Sequence, residues 1–139
     1  MSTKVYIAGK MTGLPKFNFP AFIEAAATMR ALGFEVVSPN EQDTPEVRAA
    51  AMASPDGKMM ADGTIGGLTW GDILAKDVKL LADSDFDGIV FLPGWEKSNG
   101  AKLEAIVGLL KGFSFAEFVA GTTIMRDREW VKAKLHESL

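Results

Sequence analysis

The chain of 139 residues contains no cysteine and a single histidine, His136. The absence of cysteine excludes disulfides, thiol nucleophiles and zinc sites with cysteine ligands, and it is consistent with a reducing compartment. A lone histidine near the C-terminus argues against a catalytic or metal site built on imidazole groups. We therefore expect neither a bound metal nor a cofactor.

The chain also lacks an excess of positive charge and a long apolar run. Its 15 Lys and Arg residues are outnumbered by 18 Asp and Glu residues, which gives a net charge of −3 at pH 7. Nucleic-acid-binding proteins usually carry a basic patch, so we expect no nucleic-acid partner. No apolar stretch is long enough to span a bilayer, and the one within residues 1–6 is too short for a signal-peptide core. The sequence therefore predicts a cytoplasmic protein without a membrane partner.

What is present is the composition of one folded domain, with 47% hydrophobic and 24% charged residues. Strand and helix patterns alternate along the chain. The predicted strands cover residues 4–8, 34–38 and 87–92, with a weaker one in GFSFAEFV; the predicted helices cover residues 19–32, 69–82 and 100–111, and begin again near 126. This alternation predicts a single α/β domain over residues 1–139, a three-layer sandwich with a parallel, Rossmann-like or flavodoxin-like sheet of about four to five strands.

The stretch at about 41–68 breaks the alternation, because it is rich in small residues and contains two prolines and four glycines. Loops of this length inside compact domains are usually functional or disordered. We predict a flexible insertion, or a lid, with one short helical turn.

Three loops follow predicted strands at the edge where parallel α/β sheets bind ligands. One contains Gly9 to Gly13, one follows Ser38, and the third runs from Pro93 to Asn99 into a helix that begins near Gly100. Glycine allows close approach of a ligand to the backbone, and the free amides at a helix start can bind a phosphate. An ordinary helix cap and turn, and an exposed lysine at position 10, are the structural alternatives. The candidate binding residues in these loops are Gly9, Lys10, Met11, Thr12, Gly13, Ser98, Asn99 and Gly100.

Two carboxylates occupy unusual positions on the predicted helices. Asp77 lies on an apolar face, where burial is costly unless the group is hydrogen-bonded or paired. It is either a structural acid with a bonded partner or a site residue whose pKa is raised by burial. Glu104 lies near the start of its helix, where the helix dipole favours an anion, so it can simply stabilise the helix. Ile106, Leu109 and Leu110 indicate the buried side of that helix.

The segment SNGAKLE has the pattern S-x-G-x-x-x-E after a strand, and it resembles the nucleoside 2-deoxyribosyltransferase-like superfamily, which includes the nucleoside 5′-monophosphate N-glycosidases. The segment YIAGKMTG resembles the N-terminal nucleotide-binding loop of that superfamily. Together with FNFPAF and LPGWEKSNGAKLE, these segments resemble a small branch found in phages and bacteria. The resemblance covers roughly residues 4–111.

The resemblance implies a role for each carboxylate. Glu104 would be the nucleophile that attacks the anomeric carbon, and Asp77 would protonate the departing base or hold the sugar hydroxyls. An oxocarbenium-like transition state can be stabilised and trapped by a carboxylate in this way. Water would then complete a hydrolysis, and a second base would complete a transfer. Ser98 stands where transferases acting on free nucleosides carry an aspartate and monophosphate hydrolases carry a serine, which favours a 5′-monophosphate.

Three further residues are predicted to bind the substrate: Trp70, Asp72 and Trp95. The tryptophans can stack on a base, although packing in the core is their structural alternative, and Asp72 also fits a capping box with Thr69. The resemblance further implies a homodimer or a higher homo-oligomer.

Two other functions remain open. The same residues would serve a non-catalytic protein that binds or sequesters a nucleotide, with Glu104 reading a sugar hydroxyl. Cleavage of a dinucleotide such as NAD is a third alternative, although the complete G-x-G-x-x-G fingerprint is absent. In each case the expected partner is a small-molecule nucleotide or nucleoside.

Overall fold

The computed structural model describes residues 3–139, which form helices packed around a central sheet. The strands are β1 (Lys4–Ala8), β2 (Glu35–Val37), β3 (Thr64–Ile65), β4 (Leu68–Thr69), β5 (Gly88–Phe91), β6 (Ser114–Val119) and β7 (Thr122–Arg126). The helices are α1 (Phe19–Ala31), α2 (Pro45–Ala53), α3 (Trp70–Asp83), α4 (Asn99–Lys111) and α5 (Arg128–Ser138). Among the described helices, none has the length and apolar character needed to cross a membrane.

The central sheet has five strands in the order β2-β1-β5-β6-β7. The first four pair in parallel, which confirms the prediction of a mostly parallel α/β sheet of four to five strands. The fifth strand, β7, was not predicted and pairs antiparallel with β6. Ala120 and Gly121 connect the two strands with φ of 50° and 80°. A two-residue turn with positive φ at both positions reverses the chain tightly, so β7 lies beside β6 as an antiparallel edge strand.

Alternation along the strands divides the core between the two faces of the sheet. Val5 and Ile7 of β1 point to the face covered by α1, while Tyr6 and Ala8 point to the opposite face. Buried residues of α3, α4 and α5 pack on that second face. The protein is therefore a three-layer α/β sandwich, and the alternation directs Tyr6 toward α4.

Helix α4 lies closest to the sheet through small residues, while Ile106 and Leu109 of the predicted apolar face pack against the core and Leu110 does not. Leu110 is 83% exposed, whereas Glu104, Ala105 and Gly108 are buried. A Cβ atom added to Gly108 would lie 2.7 Å from Cδ1 of Ile89, so the helix runs close to the strand beneath it. This close packing brings the Glu104 carboxylate into the interior.

The segment at 41–68 is more structured than the single helical turn predicted. It contains the nine-residue helix α2 and the short hairpin of β3 and β4. Thr44 caps α2 by accepting a hydrogen bond from the amide of Val47 at 3.2 Å, and Pro45 occupies the first helical position. The carbonyl of Gly57 accepts a hydrogen bond from the amide of Gly13 at 2.8 Å. The segment is thereby attached to the loop after β1.

Candidate functional site

A cleft opens beyond the carboxyl ends of β1, β2 and β5, where the architecture is expected to bind ligands. Its deeper part, the inner pocket, has a volume of about 80 Å³ and is lined by Asp43, Asp77 and Glu104 among mainly apolar side chains. Its outer part, the outer pocket, has a volume of about 400 Å³ and is lined by Lys10, Thr12, Met59, Trp70, Lys97, Ser98, Asn99 and Gly100. Thr12, Met59, Trp70, Ser98 and Gly100 line both parts, so the two pockets adjoin.

Glu104 is held by the hydroxyl of Tyr6, which donates a hydrogen bond to its Oε2. The carboxylate is only 6% exposed. Burial and the charge of Asp77 raise the pKa of Glu104 well above its usual range, while the hydrogen bond from Tyr6 acts in the opposite direction. Burial and Glu104 also raise the pKa of Tyr6, so the phenol stays protonated and remains a donor. Sequence reasoning missed Tyr6, although the alternation along β1 could have identified it.

Asp77 lines the same pocket, is 8% exposed, and its Oδ1 has no hydrogen-bond partner among residues 3–139. Burial, followed by the charge of Asp43, raises the pKa of Asp77 to about 7, and Lys76 opposes this rise. A structural acid would be expected to have its buried oxygens bonded. The unpartnered oxygen in the cleft therefore favours the interpretation of Asp77 as a site residue.

Asp43 is a third buried carboxylate of the inner pocket that the sequence analysis did not identify. Its Oδ1 lies 2.8 Å from Nζ of Lys76, which also donates to the carbonyl of Gln42 at 2.9 Å. Burial raises the pKa of Asp43, and the ammonium group of Lys76 opposes that rise. The loop after β2 lies at the edge of the sheet where ligands bind, so the sequence could have pointed to an acid in this loop. It could not distinguish Asp43 from Glu41, which pairs with Arg30 at 2.6 Å.

Carboxylates gathered in one buried pocket do not all ionise at neutral pH, because each negative charge opposes the next. The hydrogen bond from Tyr6 favours the charged form of Glu104, and Lys76 favours the charged form of Asp43. Asp77 has a buried oxygen without a partner among the described residues, and burial raises the pKa of both Asp77 and Glu104. A protonated Asp77 beside an ionised Glu104 is the arrangement that acid and nucleophile roles would require.

The outer pocket is suited to an anion. Ser98 caps α4, with its Oγ accepting a hydrogen bond from the amide of Ala101 at 3.1 Å, as the structural alternative predicted. The amides of Asn99 and Gly100 in the first turn have no acceptor within the helix. Both residues line the outer pocket together with Lys10 and Lys97, so a positive helix end and two cationic side chains face the same space.

Most of the predicted binding residues line the cleft. Gly9 and Met11 line the inner pocket, Lys10 and Asn99 line the outer pocket, and Thr12, Trp70, Ser98 and Gly100 line both. Trp70 is 46% exposed at the mouth of the cleft, so its ring is available to a ligand. The sequence thus identified the loops that form the outer pocket, although it did not single out Lys97.

Three predicted substrate-binding residues have structural roles outside the lining of either pocket. Gly13 anchors the inserted segment through its amide. Asp72 completes the capping box of α3, with its Oδ2 accepting from the amide of Thr69 at 2.9 Å, and it is exposed. Trp95 is fully buried and stacks on Phe91 with 4.1 Å between ring centroids, so it has no free face for a base. Capping accounts for the side chain of Asp72 and core packing for that of Trp95, and neither residue lines the cleft.

Within residues 3–139, no group of three or more His, Cys, Asp or Glu side chains is arranged to hold a metal ion. The carboxylates of the cleft are instead placed to form hydrogen bonds and to exchange protons.

A protein-family model described as "Domain of unknown function (DUF4406)" matches residues 3–114, and the chain belongs to this family. The matched region includes the whole lining of both pockets and ends at the start of β6. The searches of the curated proteins and of the solved structures found no match.

Proposed function

We propose that this member of the DUF4406 family cleaves the N-glycosidic bond of a ribo- or deoxyribonucleoside 5′-monophosphate through a covalent glycosyl intermediate on Glu104. The observation that carries the proposal is the buried pair of Asp77 and Glu104 in the inner pocket, next to an outer pocket suited to a phosphate. The resemblance of SNGAKLE to the nucleoside 2-deoxyribosyltransferase-like superfamily supports the same chemistry.

In the first step, the Glu104 carboxylate attacks the anomeric carbon and the N-glycosidic bond breaks. The electron pair of that bond goes to the base, which takes the proton of Asp77. The hydrogen bond from Tyr6 to Oε2 fixes the carboxylate and favours its ionised form, which leaves Oε1 available as the nucleophile. A pKa of about 7 suits Asp77 to donate a proton near neutral pH.

In the second step, the ionised Asp77 takes a proton from water, and the water oxygen bonds to the anomeric carbon. The bond to Glu104 then breaks, which restores both carboxyl groups and releases the sugar 5-phosphate. If the N–H of a second base takes the place of water, the outcome is base exchange.

The preference for a 5′-monophosphate follows from the charges of the outer pocket. The first amides of α4, with Lys10 and Lys97 nearby, offer hydrogen bonds and positive charge to a phosphate. Ser98 carries no charge, and its hydroxyl proton can be donated while its oxygen caps the helix. A carboxylate at that position would repel the phosphate.

A nucleotide-binding protein without turnover is the second candidate function. The observation that favours it is the burial of Glu104, which raises the pKa of the carboxyl and so favours its neutral, non-nucleophilic form. In that case Glu104 would hydrogen-bond a sugar hydroxyl, and the bound nucleotide would be recovered intact.

A homo-oligomeric state and a cytoplasmic location are also part of the proposal.

The test is a base-release assay on nucleosides, ribo- and deoxyribonucleoside 5′-monophosphates and NAD, with and without an acceptor base. We expect release from a monophosphate, a loss of about a thousandfold or more in Glu104→Gln and a loss of about a hundredfold or more in Asp77→Asn. Glu129→Gln, an exposed glutamate of α5, is the matched control and should retain full activity. Unchanged release by Glu104→Gln would contradict the mechanism, and intact bound nucleotide without release would favour the binding protein.

A further inference from the structure

The buried carboxylate of Asp43 has no task in the mechanism proposed above. It is 7% exposed and lines the inner pocket but is not part of the lining of the outer pocket. An ion pair with Lys76 does not by itself require this burial, because the Lys76 side chain is 36% exposed and such pairs form readily at the surface. The position of Asp43 therefore points to contact with a ligand.

The position of Asp43 relative to the two pockets gives the orientation of that ligand. Asp43 lines only the inner pocket, and it pairs with Lys76, the residue before Asp77 on α3, so it lies beside Asp77 and away from the outer pocket. Gly100 lines both pockets, at the junction where a phosphate in the outer pocket would meet the inner pocket. A nucleotide with its phosphate in the outer pocket and its anomeric carbon at Glu104 extends its base past Asp77 toward Asp43.

The chemistry of Asp43 restricts which base fits. Lys76 binds its Oδ1 at 2.8 Å and the carbonyl of Gln42 at 2.9 Å, which fixes the orientation of the carboxylate and favours its charged form. An ionised carboxylate only accepts hydrogen bonds. The exocyclic amino groups of cytosine, adenine and guanine can donate to it. The carbonyl oxygen that replaces each amino group in uracil, hypoxanthine and xanthine would instead face a negative charge.

We infer that Asp43 reads the edge of the base and selects a base with an exocyclic amino group over its deaminated counterpart. The inference rests on the proposed function, because that function sets the direction in which the nucleotide lies. A site built around one buried hydrogen-bonding group rejects an analogue that cannot satisfy it, since the polar group is then left unpaired.

The experiment measures binding in a Glu104→Gln background, in which the nucleotide is not consumed. Calorimetric titrations compare CMP with UMP, AMP with IMP, and GMP with XMP. We expect the amino-bearing member of at least one pair to bind about ten- to a hundredfold more tightly, the range for a hydrogen bond to a charged group. Adding Asp43→Asn should remove the preference, because an amide can both donate and accept; Asp43→Ser serves the same purpose if the first variant does not fold.

The ratio of affinities within a pair distinguishes base reading from a structural role, because a general weakening of the pocket lowers both affinities together. Glu46→Gln, an exposed residue of α2, is the control and should leave the ratio unchanged. Equal affinities within every pair, a preference that survives Asp43→Asn, or no binding at all would overturn the inference. Base release by the wild-type protein is measured separately: release with a base preference in binding supports both proposals, and a preference without release supports this inference but contradicts the glycosidase.

Discussion

Tyr6 favours the ionised, nucleophilic form of Glu104, because it is the one side chain that donates a hydrogen bond to this buried carboxylate among the described residues. Burial and the charge of Asp77 both favour the neutral form of Glu104. The position of Tyr6 in the middle of β1, facing α4, is fixed by the strand, so the donor is held in place before any ligand binds.

Replacing Tyr6 with phenylalanine should therefore change how the rate of base release depends on pH on the acidic side of its optimum. Without the donor, the pKa of Glu104 rises further, so the ionised form is reached only at higher pH. We expect the acidic limb of kcat/KM for base release to move to higher pH. Activity at neutral pH should fall as well, because the ionised fraction on that limb falls about tenfold for each pH unit by which the pKa rises.

The basic limb in the same experiment, which we assign to Asp77, is the internal control and should stay near pH 7. An acidic limb that does not move would mean that Glu104 is not the group that must be ionised. Retained folding of Tyr6→Phe is expected, because the ring keeps its edge contact with Phe86 at 5.8 Å between centroids.

At the level of elements, the segment containing α2, β3 and β4 contributes one wall of the cleft. Met59 and Ile65 line the inner pocket from this segment, and Gly57 joins it to the loop after β1. A Cβ atom added to Gly57, where φ is +69°, would lie 2.1 Å from the backbone oxygen of Leu14. Backbone atoms cannot move aside as a flexible side chain can, so this contact requires glycine.

We predict that Gly57→Ala separates the segment from the loop and weakens the pocket. The free energy of unfolding should fall by about 2–5 kcal/mol, the sum of a left-handed alanine and an overpacked contact, and KM for the nucleotide should rise. Gly63→Ala is the matched control, because Gly63 has φ of +80° but nothing within 4 Å of the added Cβ. The control should cost only about 1–2 kcal/mol for the backbone strain and leave KM unchanged.

Urea unfolding and steady-state kinetics on both variants make the comparison. Similar losses of stability and unchanged KM in the two variants would show that the contact between Gly57 and Leu14 has no role in shaping the site.

The elements that the sequence predicted correctly are those with strong local signals. Strands β1 and β5 are continuous apolar runs, and α3 begins with a capping box of Thr69 and Asp72 that the structure contains. The elements missed had weak local signals: β7 is a mostly exposed edge strand, and α2 is rich in alanine without a stripe of large apolar residues. Leu110 was wrongly placed on the buried side of α4 because large residues were counted, whereas the closest packing on the sheet selects alanine and glycine.

The candidate site likewise combines residues that have strong local sequence signals with residues whose signals are weak. The residues of the two glycine-containing loops and the motif acid Glu104 follow from sequence patterns, and the structure brings most of them to one cleft. Tyr6 and Asp43 have only weak sequence signals, the alternation along β1 and the position after β2, since their importance comes from the charges that folding places beside them.

For the molecule as a whole, the cleft is assembled from residues far apart in the chain. Tyr6 comes from β1, Asp43 from the loop after β2, Asp77 from α3 and Glu104 from α4. Folding therefore collects three carboxylates in one buried place and raises the pKa of each. Holding charge in this pocket costs stability, so the features that suit the site to acid and nucleophile chemistry also destabilise the fold.

The sign of the resulting pH dependence can be stated for Asp77. Its pKa is about 7 in the folded protein against an ordinary value of 3.8, so the folded state holds a proton that the unfolded chain has lost between these values. Stability therefore decreases as the pH rises from about 4 toward 7, and the whole cost is present above pH 7. Asp43 and Glu104 act in the same direction.

We therefore predict that the free energy of unfolding is higher near pH 5 than near pH 8, and that Asp77→Asn reduces this difference. The variant should gain at most about 4 kcal/mol at pH 8 and almost nothing near pH 4, because only the charged form is penalised. Urea unfolding of both proteins across this range is the measurement, with Asp85→Asn, an exposed acid just after α3, as the control. An equal gain at all pH values would show that Asp77 is destabilising for a reason other than its buried charge, and no gain would show that its charge is compensated in the folded protein.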